Sequence, residues 1–592
     1  MNAKSVLYGD IRLDQDGVLK KYVDQNGNVY WNKIAEPCTV LETCENLDTG
    51  NVSVLLEYLP TGLGAQNKQE KVEASVISSP SSIEKLASKG LDVNGSNKFN
   101  LIKHFRNERE NSPIFYEHSK LGFDTLDGQP YFKHYHSIGL ADISTYVGGL
   151  KIKPMGDYQV WKSMVEREVM GNPALELALM LGLSSALVGF IATDLGVESQ
   201  FYHIYGDSST GKSTACSLIA STFGSPNIRE KGLVSSWNIT WNALQGILAS
   251  NYGVPMILEE ASMAHVSDFT SVIYTLGEGK EKMRMNSDLE VREPRVWSTN
   301  VISNGEFSLF EKASPNKGLR IRLIEFANVQ FTTSAENADA IKQCVNGNYG
   351  FAGPMFVEGL LQRGKSHVIK QFQYNKREAL KKILKSPISA RLASKIAFIT
   401  TTTHIATKVF NLNFDIDGIL DLFCEQVNRN ITDGDMATSA YLLLKEWIVS
   451  NPSLFENKYT AKTRVQVDGN HSRLIDETRF HRYGGRVEFG GIGENQLNRI
   501  IILPKTLEKF LESEGSYQST RVILNEFKKR GWLLHDENHL TCKRSLNGIS
   551  CRVHVIKANV ADYFIQKLFG TSDDLDQQFL EFELDENTAN VG

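Results

Sequence analysis

A run of eight residues, Gly206-Asp207-Ser208-Ser209-Thr210-Gly211-Lys212-Ser213, has the types and spacing of the phosphate-binding pattern G-x-x-x-x-G-K-[S/T]. It follows a strand-like apolar stretch and precedes a helix-like stretch that begins with Thr214. In such a loop the glycines let backbone N–H groups turn toward phosphate oxygens, and the following helix presents its positive end. The sequence therefore predicts that positions 206–214 bind ATP, with Lys212 on the β- and γ-phosphates and Ser213 on Mg²⁺.

Two adjacent acids, Glu259 and Glu260, follow a second strand-like apolar stretch. Beside a phosphate-binding loop, the first carboxylate of such a pair holds the metal and the second polarises the attacking water. The first position usually carries aspartate, so the side chain of Glu259 is one methylene longer than the pattern. A strand that runs into a solvated acidic turn is the alternative for these two residues.

Four further side chains are candidates for a role near the γ-phosphate. A strand-like run ends at Asn300, which predicts a hydrogen bond to the γ-phosphate or its water, the sensor-1 role of AAA+ ATPases. At the start of the next predicted strand, Arg320 and Arg322 would share a face, and one of them could reach a neighbouring subunit as an arginine finger. Arg391 stands in a helical region where a sensor-2 arginine could lie. A solvated strand edge for the arginine pair and a surface helix charge for Arg391 remain alternatives.

The segment between the paired acids and Asn300 is longer than a crossover helix needs. Within it, Lys280-Glu281-Lys282-Met283-Arg284-Met285 alternates with period two, 286–288 make a turn, and 289–292 run back. This pattern predicts a β-hairpin with Lys280, Lys282 and Arg284 on a DNA-binding face and the methionines on the other. A hairpin whose cations serve only solubility is the alternative.

A basic pattern near the C-terminus predicts a winged helix over 500–570, with helices at 503–513 and 519–530. Its expected DNA contacts are Ser519, Arg521, Lys528 and Lys529, because a recognition helix needs short polar and cationic side chains toward phosphates and base edges. Many such domains bind protein instead, and that alternative stays open.

The elements that must position these residues fall into six predicted segments. Strands alternate with helices from about residue 201 to about 331, which is typical of a parallel sheet with crossover helices. The apolar run at 177–193 is predicted to be a buried core helix. The segments are an α+β domain (1–150), an ATPase core (151–334), a helical lid (335–456), a Gly/Arg-rich connector (457–499), the winged helix (500–570) and an acidic disordered tail (571–592).

Composition excludes fibrous, low-complexity and disulfide-stapled classes. Of 592 residues, 41% are hydrophobic, and the seven cysteines show no C-x-x-C pair, so a globular multidomain protein of the cytoplasm is expected. The net charge of −5 is concentrated in the tail, which holds seven acids and no lysine or arginine. The tail is expected to be solvated, with mimicry of DNA in a channel as the alternative.

Taken in order, these motifs resemble the AAA+ helicases encoded by staphylococcal cassette chromosome elements, relatives of the MCM replicative helicases. The similarity rests on the Ser-Ser-Thr-Gly-Lys-Ser loop, the lysine-rich stretch at 277–284 and the Arg-Gly-Trp-Leu run at 530–533. The run from Arg322 to Glu325 is also similar to the Arg-Phe-Asp pattern of MCM proteins, although it is one residue longer. This resemblance assigns the arginine finger to Arg322, keeps Arg320 as an alternative, and gives sensor 2 to Arg391.

The resemblance implies an α/β P-loop AAA+ core with an α+β N-terminal domain and a C-terminal winged helix. It implies an ATP- and Mg²⁺-dependent homo-hexamer that translocates 3′ to 5′ on single-stranded DNA during replication of a mobile genetic element. The expected partners are single-stranded and forked DNA and element-encoded replication proteins, with no membrane.

Two other functions fit the same motifs. An AAA+ protein remodeller usually carries aromatic and apolar residues in its central loops, whereas the corresponding stretch here is rich in lysine. A non-hydrolysing DNA-binding scaffold is compatible with the glutamate at 259.

Overall fold

The computed structural model describes residues 6–62, 66–141, 143–266, 268–285, 291–314, 317–433, 435–459, 484–490, 497–513, 519–537, 539–546 and 548–569. The chain forms two compact units. Unit 1 comprises Met1–His265, Ile273–Ser308 and Arg322–Gln426, and unit 2 comprises Val266–Val272, Leu309–Ile321 and Val427–Gly592. The predicted turn at 286–288 and the acidic tail at 571–592 lie outside the described residues.

The N-terminal part of unit 1 is rich in β-strands, in agreement with the predicted α+β domain. In β6, buried residues alternate with half-buried ones, so one face of the strand packs on a core that includes Leu56 and Phe105. The strands pair in the orders β1-β2-β3-β4, β12-β8-β5-β6-β7 and β11-β10-β9. The elements are β1 (Val6–Tyr8), β2 (Ile11–Asp14), β3 (Gly17–Val23), β4 (Val29–Ala35), β5 (Cys38–Asn46), β6 (Val52–Tyr58), β7 (Lys68–Glu73), α1 (Ala74–Ser78), α2 (Pro80–Ile83), α3 (Lys98–Asn111), β8 (Ile114–His118), β9 (Leu121–Leu126), β10 (Gln129–Lys133), β11 (Ser137–Ile138) and β12 (Ser144–Tyr146).

A parallel five-stranded sheet follows, as the alternation of strands and helices predicted. Its order is β14-β16-β19-β13-β20, and every pair in it is parallel. The carboxyl ends of all five strands therefore meet at one edge. The elements are α4 (Tyr158–Met164), α5 (Pro173–Leu195), β13 (Gln200–Tyr205), α6 (Lys212–Ser221), β14 (Val234–Ser236), α7 (Trp241–Leu248), β15 (Asn251–Tyr252), β16 (Met256–Glu259), α8 (Thr270–Glu278), β17 (Arg284–Met285), β18 (Val291–Arg292), β19 (Asn300–Gly305), α9 (Lys317–Arg322) and β20 (Leu323–Ala327).

The long apolar helix α5 belongs to the protein core, as predicted. Asn172 caps its start through Ala174 N, and Gly196 ends it in the left-handed region. By length and composition this helix could cross a membrane, but 94% of its most apolar window is buried inside the protein.

Five helices follow the sheet, in keeping with the helix-rich segment that the sequence predicted. They are α10 (Ala335–Gly347), α11 (Ala352–Arg363), α12 (Lys365–Lys382), α13 (Ser389–Phe410) and α14 (Ile416–Asp433).

Unit 2 holds a C-terminal α/β domain that begins earlier than the sequence suggested. The helix α15 was expected in the lid, but Tyr441 packs on Trp532 within the C-terminal core. Two strands of this domain's sheet lie in or reach into the stretch that was expected to be a connector, since β22 (Gly485–Phe489) lies within 457–499 and β21 (Phe455–Tyr459) crosses its start. The sheet order is β21-β22-β23-β26-β24, with β25 on β26. The elements are α15 (Met436–Ser450), β21 (Phe455–Tyr459), β22 (Gly485–Phe489), β23 (Leu497–Ile502), α16 (Pro504–Ser513), α17 (Thr520–Lys529), β24 (Leu533–Leu534), β25 (Cys542–Leu546), β26 (Ile549–Lys557) and α18 (Ala558–Phe569).

Candidate active site

The glycine-rich loop 206–213 joins β13 to α6 at the carboxyl edge of the parallel sheet. Both of its glycines have positive φ, +139° at Gly206 and +85° at Gly211. A Cβ at Gly206 would lie 2.4 Å from Asn328 Oδ1, and one at Gly211 would lie 2.5 Å from Thr332 Oγ1. The loop therefore needs glycine at these two positions, both for its backbone turn and for its close packing on the segment after β20.

Lys212 is the first residue of α6, and its side chain turns back over the loop. Its Nζ donates to the carbonyl oxygens of Gly206, at 2.8 Å, and Asp207, at 2.6 Å. The ammonium group and the positive end of α6 thus act on the same concave surface, which is suited to an anion.

The paired acids lie at the end of β16, as predicted. Burial raises the pKa of the Glu259 carboxyl, and the Glu260 charge adds to that shift. Hydrogen bonds from Asn304 and from Ser213, and the charge of Lys342, oppose it. The Ser213 hydroxyl and the Glu259 carboxylate are hydrogen-bonded to each other, and both offer the oxygen ligands that Mg²⁺ prefers.

Glu260 has a backbone conformation that is unusual for a residue with a side chain. Its φ is +65°, and its backbone N–H donates to Asn304 Oδ1 at 2.8 Å. The Glu260 side chain accepts a hydrogen bond from Ser262 and lines the cleft beside the loop. Strain of this kind persists where the surrounding structure fixes it, and here Asn304 does so.

The structure corrects the assignment of sensor 1 to Asn300. β19 begins at Asn300 rather than ending there, so the side chain is buried at the amino edge of the sheet. Its Nδ2 donates to Leu181 O, at 2.6 Å, and to Ser184 Oγ, at 2.7 Å. Asn304, four residues further along β19, is the asparagine at the carboxyl edge, where its Nδ2 lies 3.4 Å from Glu259 Oε1.

The glycine-rich loop, Glu260 and Asn304 line a cleft of about 540 Å³. One wall is the loop with Lys212 and Ser213, and the floor carries Glu260 and Asn304. A further part of the lining comes from α10 and the segment before it, which the sequence did not indicate. Its polar members are Gln330, Thr332, Thr333, Ser334, Asp339 and Lys342. No motif indicated them, because they become neighbours of the loop only when β20 pairs beside β13.

The predicted arginines do not line this cleft. Arg320 and Arg322 lie on the short helix α9 and not on a strand, so the expectation that they share a face is wrong. The guanidinium of Arg320 stacks on Phe310, 3.8 Å from the ring centroid, and donates to Asn430. Arg391 is exposed near the start of α13.

Arg322 lies at the amino edge of the sheet, because the next residue, Leu323, pairs with Phe201 at the start of β13. The glycine-rich loop follows the other end of the same strand. At about 3.3 Å per residue, the strand separates the two by about 16 Å.

The cationic stretch before β19 is partly as predicted. β17 and β18 form the expected antiparallel hairpin, with Arg284 paired to Arg292. Lys280 and Lys282 are both exposed, whereas Glu281 between them is buried and accepts from the backbone N–H of Arg295. The strand is shorter than the alternation suggested, because only Lys280 forms a bridge, to Val296, before Arg284.

The second candidate site is the exposed face of α17 in unit 2. Ser519 precedes the helix, and Arg521, Lys528 and Lys529 are exposed, as the predicted contacts require. Lys529 also pairs with Glu526 at 3.0 Å. The hairpin of β25 and β26 adds two exposed cations that the sequence analysis missed, Lys543 and Arg544.

The chain therefore belongs to a class of proteins in which a β-rich N-terminal domain is followed by a parallel α/β sheet with a glycine-rich loop, and then by a C-terminal helix-turn-helix domain. Two sequence families match parts of the chain. Residues 11–296 match the family described as domain of unknown function DUF927, and residues 435–561 match the Cch helix turn helix domain. No curated protein matches the sequence.

Among solved structures, the chain is similar to the SCCmec type IV Cch protein, described as an active helicase. The two are 23% identical, the TM-score is 0.73, and the alignment covers 96% of this chain and 100% of that one. The resemblance to the helicases of these cassette elements is therefore confirmed for the fold. The apo A form of the NrS-1 C-terminal region is 11% identical over 65% of this chain and 91% of that one, and its TM-score is only 0.23.

Proposed function

We propose that the protein is an ATP-dependent DNA helicase with an AAA+ type P-loop core. The observation that carries the proposal is the cleft, where Lys212, Ser213, Glu259, Glu260 and Asn304 converge at the carboxyl edge of a parallel sheet. The strand order supports the AAA+ assignment, since β19 lies between β13 and β16, where a sensor-1 strand must lie.

Each residue of the cleft has a role in this proposal. The loop N–H groups and Lys212 bind the phosphates of ATP, and Ser213 and Glu259 would hold Mg²⁺, which would neutralise charge on those phosphates. Glu260 orients and polarises the attacking water. Asn304 holds the backbone of Glu260 in place, and the Asn304 side-chain amide hydrogen-bonds the γ-phosphate or the water. Lys342 adds a second cation from α10.

The assembly follows from the position of Arg322. At about 16 Å from the loop of its own chain, an arginine finger at this position would have to act on a neighbouring subunit. We therefore propose a ring, with six subunits as in the MCM relatives, in which Lys280, Lys282 and Arg284 line a central pore around single-stranded DNA. The exposed cations of α17 and of the β25–β26 hairpin guide the duplex of a fork.

The proposed setting is the cytoplasm, where the protein unwinds DNA 3′ to 5′ during replication of a mobile element, together with element-encoded replication proteins. The proposal is tested by strand separation on partial duplexes that carry only a 3′ or only a 5′ single-stranded arm. We expect ATP-dependent separation of the 3′-armed substrate and none with Glu260→Gln. Separation that persists in Glu260→Gln, or that does not need ATP, would refute the assignment of the cleft.

A further inference from the structure

The side chain of Arg322 is held by residues that lead directly into the cationic stretch at 280–284. Its Nη2 lies 2.8 Å from Glu278 Oε1, and its guanidinium stacks 4.5 Å from the centre of the Tyr274 ring. Both partners belong to the last two turns of α8, and Glu278 is its final residue.

The end of α8 contacts Arg322 through its backbone as well as through the Glu278 carboxylate. A Cβ at Gly277 would lie 2.6 Å from Arg322 Cβ, so the end of α8 packs directly on this arginine. Gly279 then ends the helix at φ +71°, and its carbonyl accepts from Trp297 N at 2.9 Å. Only Gly279 separates Glu278 from Lys280, the first exposed cation of the stretch.

A second carboxylate, that of Glu198, contacts Arg322 but does not belong to α8 or to the cationic stretch that follows it. Glu198 Oε1 lies 3.5 Å from the same Nη2, and it belongs to the loop before β13. The two glutamates are equally exposed, at 43% of each side chain, but Glu278 is the closer partner of Arg322 and the one that belongs to α8.

We infer that Glu278 is a positioning residue that couples nucleic acid bound at Lys280 and Lys282 to the availability of Arg322 for the neighbouring subunit's nucleotide. This inference rests on the proposed function. While its Nη2 pairs with Glu278 and its guanidinium stacks on Tyr274, the Arg322 side chain is held against its own chain, so in this inference it leaves Glu278 to reach the phosphate of a neighbouring subunit. A shift of the end of α8 when DNA binds two residues away would release it.

The test compares full-length Glu278→Gln with Glu198→Gln, which removes one carboxylate from Arg322 without touching α8. ATP turnover is measured with and without single-stranded oligonucleotide, and DNA affinity by fluorescence anisotropy. We expect Glu278→Gln to raise turnover without DNA and to lower the stimulation ratio about fivefold or more, the range of a typical coupling energy. Glu198→Gln should keep a ratio close to that of the wild type, and Glu278→Asp, which retains the charge, should restore most of it.

Three results would overturn the inference. The first is a wild-type stimulation ratio in Glu278→Gln. The second is an equal fall in its turnover with and without DNA, as a purely structural role predicts. The third is the same fall of the stimulation ratio in Glu198→Gln. If Glu278→Gln does not fold, a cycle of Glu278→Ala, Lys282→Ala and the double variant decides, since coupled residues give non-additive effects on the ratio and independent ones give additive effects. A wild-type protein that DNA does not stimulate would instead refute the proposed function itself.

Discussion

At the scale of single residues, two asparagines on one strand show how position decides function. Asn300 and Asn304 belong to β19, but the first is at its amino end and the second at its carboxyl end. The sequence favoured Asn300, because 295–298 looked like the strand and the true strand has buried polar residues. Ser303 is one of these, and it is satisfied by His203 and Trp237. Such internal partners cannot be read from a local apolar pattern.

We predict that Asn304→Ala and Asn300→Ala have different effects. Asn304→Ala removes the contacts to Glu259 and to the Glu260 backbone, so ATP turnover should fall about a hundredfold, as when one stabilising donor is removed from an active site. Asn300→Ala leaves Leu181 O and Ser184 with one partner fewer and should cost about 1–3 kcal/mol of unfolding free energy. Thermal unfolding and steady-state turnover of both variants check this, and the reverse pattern would restore Asn300 to the site.

A second prediction at this scale concerns Lys342 and the pH dependence of turnover. Burial raises the pKa of Glu259, and the Lys342 charge partly opposes that rise. Glu259 must be ionised to hold the metal, so activity is lost as the pH falls through its pKa. Lys342→Ala should therefore move the acidic limb of the kcat/KM profile to higher pH, while Lys342→Arg should leave it in place. An acidic limb that does not move in Lys342→Ala would exclude a charge effect on Glu259.

At the scale of elements, the parallel sheet could be predicted, whereas the short elements α9 and β25 could not. The strands β13 and β16 were evident as apolar runs beside the two motifs. α9 is only six residues long, and its alternating Arg-Ile-Arg sequence fits a strand as well as a helix. β25 is polar at its three central positions, which are exposed, so it gave no strand signal.

The ion pair between Arg530 and Asp435 joins two elements of unit 2. The pair is bidentate, with both N–O distances at 2.7 Å, and it ties the end of α17 to the start of α15. Burial would raise the pKa of Asp435, but the hydrogen bonds from Arg530 and Thr438 outweigh it, so the pKa is lowered. The stabilisation is thus complete above the ordinary aspartate pKa and is lost as the pH falls through the lower folded pKa.

We predict that Asp435→Asn destabilises the contact of α15 by about 3 kcal/mol at neutral pH, because it leaves Arg530 with a neutral partner. Hydrogen exchange of peptides covering Met436–Ser450 in the full chain measures this locally. The difference from the wild type should shrink below about pH 4, the ordinary pKa of aspartate, because Asp435 of the unfolded segment then takes up a proton while the folded segment, with its lowered pKa, does not yet do so. Lys529→Ala, which breaks only the exposed pair with Glu526, is the control and should change exchange little.

At the scale of the whole molecule, the proposed ring requires that each ATP site be completed by residues of two neighbouring subunits. We predict that a mixture of Arg322→Ala and Glu260→Gln subunits recovers ATP turnover that neither variant has alone. In mixed rings an intact Arg322 meets an intact cleft, and arginine fingers contribute about 10³ to 10⁵ in rate. A mixture of Lys212→Ala and Glu260→Gln is the control. Both variants have an intact Arg322 but neither has an intact cleft, so this mixture should recover no turnover. No recovery in the first mixture at any ratio would place the finger elsewhere.

The most direct test of the central claim is ATP turnover by the full chain with and without single-stranded DNA, in the wild type and in Lys212→Ala. For a DNA helicase we expect that DNA stimulates ATP turnover by the wild type and that Lys212→Ala hydrolyses ATP under neither condition. A protein remodeller would hydrolyse ATP at a rate that DNA does not change, and a scaffold would not hydrolyse it at all. Either of these results for the wild type would contradict the assignment of the cleft to a DNA helicase.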